Sequence, residues 1–187
     1  MKISKIIGYS LIVAGITLNI NKLIIKRSTE ITEKNRVEYT LEKEISYKEK
    51  DETYDAILEI PLINLKKGIY KKEDKRNNIE ENIMIHDSSI YPDIDNSNII
   101  LIAHSGTGEK AFFKDLYKLN NDSLIKFYYH HTKYIYKIDK YYLVDKAGDI
   151  EIERDRNKKT ITLITCDSKD KSKQTVYIGY LIEEIKY

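Results

Sequence analysis

Residues 160–166 read Thr160-Ile-Thr-Leu-Ile-Thr-Cys166, and residues 98–104 read Asn98-Ile-Ile-Leu-Ile-Ala-His104. Both are short, uncharged and rich in β-branched residues and read as strands, and Asn98 to Ala103 is the continuous apolar run of a strand covered on both faces. One run closes on the only cysteine of the chain and the other on a histidine. A thiol and an imidazole at two strand ends are the minimal kit for cysteine nucleophile chemistry, because the thiolate is the reactive species and a neighbouring imidazole favours it. Parallel neighbouring strands would bring the two ends side by side. Read alone, Cys166 also fits a small buried hydrophobe, and His104 a satisfied core histidine.

Outward from these runs the chain alternates strands and turns. Ala56-Ile-Leu-Glu-Ile60 stops at Pro61, a common strand terminator. Short strands are expected at Ile69-Tyr70 and Asn82 to Ile85. Residues 91–98 (YPDIDNSN) are turn chemistry. Ala111 to Leu119 has apolar residues at 112, 113, 116 and 119, the spacing of one short helix. Ser123 to Tyr129 and Lys133 to Val144 read as a hairpin around His130-His131-Thr132. A short strand is expected at Ile150 to Ile152, then the final strands Thr160 to Cys166 and Thr175 to Ile185. The pattern predicts an all-β fold, a closed barrel or sandwich of about seven to eight strands with one or two short helices.

Composition narrows the classes. The chain has 187 residues, enough for one domain with a proper core. Thirty-two basic and 30 acidic residues nearly cancel, which excludes a nucleic-acid binder driven by bulk charge. Sixteen tyrosines with no tryptophan lean the composition toward strands. One cysteine rules out an intramolecular disulfide. There is no P-loop and no G-x-G-x-x-G, and no C-x-x-C or H-x-x-x-H of a structural zinc site. His130 and His131 read as solvated turn residues, and His86 as a loop residue. A carboxylate-bearing loop such as Glu151 to Asp155 could bind calcium, but its first reading is a solvent-facing loop; no other metal and no cofactor is expected.

The N-terminus carries a different signal. Ile6 to Asn21 is uncharged and mostly apolar. As a helix it spans about 24 Å, and Leu23 to Ile25 lengthen it to a membrane-crossing size once Lys22 snorkels. Residues 1–27 are therefore expected to form a membrane anchor, 28–54 a polar stalk or partly helical arm, and 55–187 the catalytic barrel. A cleaved signal peptide is the alternative, though no clear Ala-x-Ala site is present, and a core helix is disfavoured because the segment is apolar on all faces. Basic residues flank both ends, so charge alone does not set the orientation.

The run Thr162-Leu-Ile-Thr-Cys166-Asp167 resembles the T-L-x-T-C signature of the sortases, the cysteine transpeptidases of Gram-positive bacterial surfaces. Ala103-His104 at a strand end resembles the family's catalytic histidine motif. Phe112-Phe-Lys-Asp-Leu116 with Lys118-Leu119 resembles the short helix after it. Ile60-Pro61 with Gly68-Ile69-Tyr70 resembles the first barrel strand and turn. The resemblance covers residues 55 to 185. It implies a closed β-barrel, in which a cysteine cleaves an L-P-x-T-G-like sorting signal between Thr and Gly. The resulting thioacyl-enzyme passes the protein to a cell-wall or other amine. It further implies a cell-membrane protein, single-pass, with its catalytic domain outside. Carried over, Cys166 is the nucleophile and His104 the acid for the leaving amine, with Thr165, Ser105 and Lys173 as substrate contacts.

One position departs from the family. Sortases carry an arginine at the start of the last apolar strand, and counting back from Val176-Tyr-Ile178 that place holds Gln174. Three accounts are open: the Gln174 amide donates to the oxyanion, Lys173 supplies a point charge, or the barrel is a weak or inactive member that binds surface peptides. Seven residues, 167–173, separate Cys166 from Gln174, too few for the branch with an extra helix there. The expected enzyme is a housekeeping or specialised single-anchor type.

Overall fold

The computed structural model describes residues 2–45 and 54–187; within the first stretch, side chains are described at 16–35, 37 and 38. One long helix, α1 (Lys2–Ile45), precedes eight strands: β1 (Ala56–Ile60), β2 (Leu65–Ile69), β3 (Met84–Ile85), β4 (Asn98–Ile102), β5 (Leu124–Tyr129), β6 (Thr132–Asp145), β7 (Thr160–Cys166) and β8 (Lys173–Lys186). They form one sheet in the order β2-β1-β5-β6-β8-β7-β4-β3, rolled into a nearly closed barrel. Every pairing is antiparallel except that of β4 with β7, which run parallel with Ile102 opposite Ile164. The two apolar runs are thus adjacent central strands.

Strand parity divides the barrel wall into two faces. Ile99, Leu101, Ile161 and Leu163 point inward, into a core with Leu58, Ile60, Phe113, Phe127 and Tyr136. Ile100, Ile164, Val176 and Ile178 point outward into a second, smaller apolar cluster. A strand buried on both faces needs no polar alternation, which is why Ile99 to Ala103 reads as continuous hydrophobe. Leu163 is fully buried. Leu163→Ala is expected to lower the unfolding free energy by about 2–5 kcal/mol, measured by denaturant titration.

Several elements differ from the expectation. The segment 111–119 is not an α-helix: only Leu116–Lys118 forms a 3-10 turn. Its apolar residues Phe113, Leu116 and Leu119 are buried, so the spacing reports contact with the barrel rather than a regular helix. A second 3-10 turn, Pro61–Ile63, follows β1. Ile150 to Ile152 forms no strand. β2 starts earlier than expected, at Leu65, because its two lysines hide the alternation.

The expected membrane anchor falls largely on side chains that lie outside the described residues, those of Ile6 to Gly15. Among the described residues no helix is long and apolar enough to cross a membrane. α1 runs without a break through the expected anchor and into the expected stalk as far as Ile45, and its later part touches the barrel. Val37 is buried against Tyr54, Ile57, Tyr70 and Tyr128. Glu33 accepts from the Tyr54 hydroxyl at 2.7 Å and pairs with Lys67 at 2.9 Å. Gly68 leaves room for that Tyr54 ring, since a Cβ there would meet it at 1.9 Å.

Candidate active site

Because β4 and β7 are parallel neighbours, both chains leave the barrel at the same end, carrying His104 and Cys166. Two hydroxyls fasten these exits. Thr165 Oγ1 donates to the Ala103 carbonyl at 2.7 Å, and Ser105 Oγ to the Cys166 carbonyl at 2.6 Å. The His104 carbonyl in turn accepts from the Phe113 N–H at 2.9 Å. His104 and Cys166 are both half-buried, open to a substrate yet held by their backbones. Among the described residues no hydrogen bond joins the thiol to the ring.

Gln174 completes the group. It sits directly opposite Cys166 on β8. The Asp167 N–H donates to the Lys173 carbonyl at 3.0 Å. Cys166 and Gln174 are therefore the neighbouring non-hydrogen-bonded pair, whose side chains share a face and lie about 4.5–5.5 Å apart at Cβ. That face is the outer one, continuous with Ile164, Val176 and Ile178. No described residue takes a hydrogen bond from the Gln174 amide, so its N–H groups are open to a ligand beside the thiol.

The other expected contacts take different positions. Thr165 shares parity with Ile161 and Leu163, so it points inward, is buried, and serves as a clamp between strands. Ser105 spends its hydroxyl on the Cys166 carbonyl. Lys173 follows the opposite parity to Gln174 and pairs with Asp145 across the strands at 2.5 Å. It therefore points away from the thiol. His86 accepts from the Ser88 N–H in its own turn. His130 and His131 form the β5–β6 turn, both with positive φ (46° and 57°), at the barrel end remote from Cys166. Among the described residues no group of three or more His, Cys, Asp or Glu side chains is placed to hold a metal ion. In the loop considered for calcium, Glu153 pairs with Lys140 at 3.2 Å and Asp155 with Lys158 at 3.6 Å.

Two features were not connected to the site by the sequence. The first is the band formed by residues 150–155 beside the thiol's face. Ile150 and Ile152 pack on the outer apolar cluster. The Tyr142 hydroxyl donates to the Glu151 carbonyl and accepts from the Glu153 N–H, at 3.1 and 2.9 Å. The Tyr180 hydroxyl accepts from the Asp155 N–H at 2.9 Å. The band is a fixed wall alongside the reactive face. The second is Glu80, whose carboxylate lies 3.2 Å from His104 Nε2.

The turn after Cys166 is held by one carboxylate. Asp167 accepts from the N–H groups of Asp170 and Lys169, at 2.7 and 2.9 Å, and from the Thr175 hydroxyl at 3.2 Å. The Asp170 and Lys169 N–H groups hold its carboxyl below the usual carboxylate range. A lowered folded-state pKa gives stability that is present above the unfolded value and lost as pH falls through the folded one. Amide exchange at Lys169 and Asp170 is expected to accelerate below about pH 4, and in Asp167→Asn to be faster at neutral pH and to lose that acid dependence.

Comparison with known proteins places this geometry in a family. Residues 58–181, more than half of the chain, match a family model described as "Sortase domain". A search of curated proteins by sequence found no match. Among solved structures the chain is similar to sortase A from Corynebacterium diphtheriae, at 21% identity and a TM-score of 0.62 over 71% of this chain. That match spans 62% of the Corynebacterium chain, less than two thirds of it. It is similar to Listeria monocytogenes sortase A at 19% identity and 0.61, covering 73% of this chain and 92% of that one. A Clostridium perfringens sortase D5 transpeptidase matches at 21% and 0.62, covering 81% and 98%. At these identities the structures speak for the barrel itself. With the family model spanning β1 to β8, and Cys166 and His104 leaving that barrel on its parallel strand pair, the chain belongs to the sortase family.

Proposed function

We propose that the protein is a transpeptidase that cleaves an L-P-x-T-G-like sorting signal between Thr and Gly. The observation that carries this reading is the trio at one barrel end: Cys166 and Gln174 cross-strand on an open face, with His104 closing the adjacent parallel strand. The Cys166 thiolate attacks the threonine carbonyl carbon, and the oxygen takes up the negative charge. The Gln174 amide donates to that oxyanion, as side-chain amides do in other acyl transfers. Collapse breaks the C–N bond, and the nitrogen keeps the electron pair. Protonated His104 gives that nitrogen its proton, since an amine leaves poorly as an anion. The acceptor amine then attacks the thioester, Cys166 leaves as thiolate, and His104 takes a proton back. The acceptor is a cell-wall peptide or another surface amine.

The domain is placed outside the cell membrane, tethered through residues 1–27; the uncharged run Ile6 to Asn21 supports this. Gln174, standing where the family carries arginine, favours a second reading, a weak or inactive barrel that binds surface peptides. One experiment separates the two. The protein is mixed with labelled L-P-x-T-G-like peptides, and Cys166 is followed by mass spectrometry. An acyl adduct that disappears on adding an amine supports the transpeptidase. Binding without any adduct, while a small alkylating reagent still labels Cys166, supports the peptide-binding barrel.

A further inference from the structure

We propose that Glu80 is a positioning residue for His104, an inference that rests on the transpeptidase reading above. Glu80 Oε1 lies 3.2 Å from His104 Nε2. A carboxylate only accepts, so the hydrogen bond requires the proton on Nε2. Nδ1 then remains as the nitrogen that exchanges protons with the reacting groups, and the ring is held in one rotation.

The carboxylate is brought there by a built turn rather than by a wandering side chain. The Glu80 N–H donates to Asn78 Oδ1 at 3.0 Å, and the Glu81 and Asn82 N–H groups to the Asn78 carbonyl at 3.1 and 2.9 Å. Asn82 is buried, and its amide donates to the Gly68 carbonyl at 2.9 Å. This pins the turn to β2. One residue on, Glu81 pairs with Lys110 at 3.0 Å. Two consecutive glutamates thus tie the β2–β3 connection to the loop that begins with His104. Among the described residues, Glu80 is the charged group recorded in contact with the ring.

The effect is modest because Glu80 is 77% exposed and His104 38%. An exposed, screened pair of this kind corresponds to about a two- to fivefold change in rate. The same exposure means that substitution does not threaten the fold. In the full chain, Glu80→Gln is expected to lower kcat by about that factor with KM unchanged, and Glu80→Asp to restore part of it. Raising the ionic strength is expected to slow the unsubstituted enzyme and to leave Glu80→Gln unaffected. Independently of turnover, two-bond nitrogen–proton spectra of labelled histidine rings read the tautomer. His104, assigned through His104→Asn, is expected to carry its proton on Nε2 and to become mixed in Glu80→Ala. Unchanged spectra and unchanged kcat in Glu80→Ala would overturn the proposal. If no peptide turns over at all, the transpeptidase reading fails, while the ring spectra still decide whether Glu80 fixes His104.

Discussion

Cys166→Ala is expected to abolish transpeptidation and to leave the barrel folded. The two halves of that expectation have separate causes. Loss of turnover follows because the acyl chain has no other acceptor atom. Cys166 is the sole cysteine, and the nearest hydroxyls, on Thr165 and Ser105, are held by the Ala103 and Cys166 carbonyls. Neither can attack without breaking the clamp between β4 and β7. Retention of the fold follows because Cys166 is half-buried at the last position of its strand, and its side chain makes no hydrogen bond to a described residue. Truncating it removes one sulfur from a rim position, a loss of about 1 kcal/mol or less in transfer terms. The backbone bonds that matter, from Ser105 to the Cys166 carbonyl and from Asp167 to Lys173, do not involve the thiol. The check pairs a turnover assay with a thermal melt. A retained rate would sink the nucleophile assignment. Lost activity with a collapsed melt would show the thiol to be a structural element of the barrel end.

The barrel was legible because its two defining strands carry no conflicting signal. A continuous apolar run such as Ile99 to Ala103 must be covered on both faces, and β4 is. The parallel pairing that unites their ends was not legible, since periodicity says nothing about neighbours. The turn at 111–119 misread as a helix for a physical reason: Phe113, Leu116 and Leu119 face the core at helical spacing whether or not the backbone closes helical hydrogen bonds. Thr165, expected as a substrate contact, faces inward, and that signal was present in the sequence. Adjacent residues of a strand face opposite sides, so the residue before an outward-facing Cys166 points into the core. The same rule separates Lys173 from Gln174. Glu80 could not be found at all from the sequence, because its meaning depends on a turn folded by Asn78 and Asn82 some twenty residues before His104.

Strand parity also decides what Gln174 should do, and Gln174→Ala is expected to lower the acylation rate by about a hundredfold. Of the accounts open for the missing arginine, a charge from Lys173 fails on geometry: that ammonium lies on the other side of β8 and is paired with Asp145. Gln174 faces the thiol across a non-hydrogen-bonded pair, and no described residue competes for its amide. An amide N–H aimed at the place where an oxyanion grows gains strength as charge develops, so its loss falls on kcat more than on KM. Gln174→Glu removes the donor and adds like charge, and is expected to be slower than Gln174→Ala. Gln174→Arg offers a fork of donors at the same position and is expected to match or exceed the unsubstituted rate. Single-turnover formation of the acyl adduct on Cys166 is the quantity to measure, because it isolates the step in which the oxyanion appears. An unchanged adduct rate in Gln174→Ala would remove Gln174 from the chemistry. A Gln174→Arg variant that alone forms adduct would mark the natural barrel as one that binds sorting peptides without cleaving them.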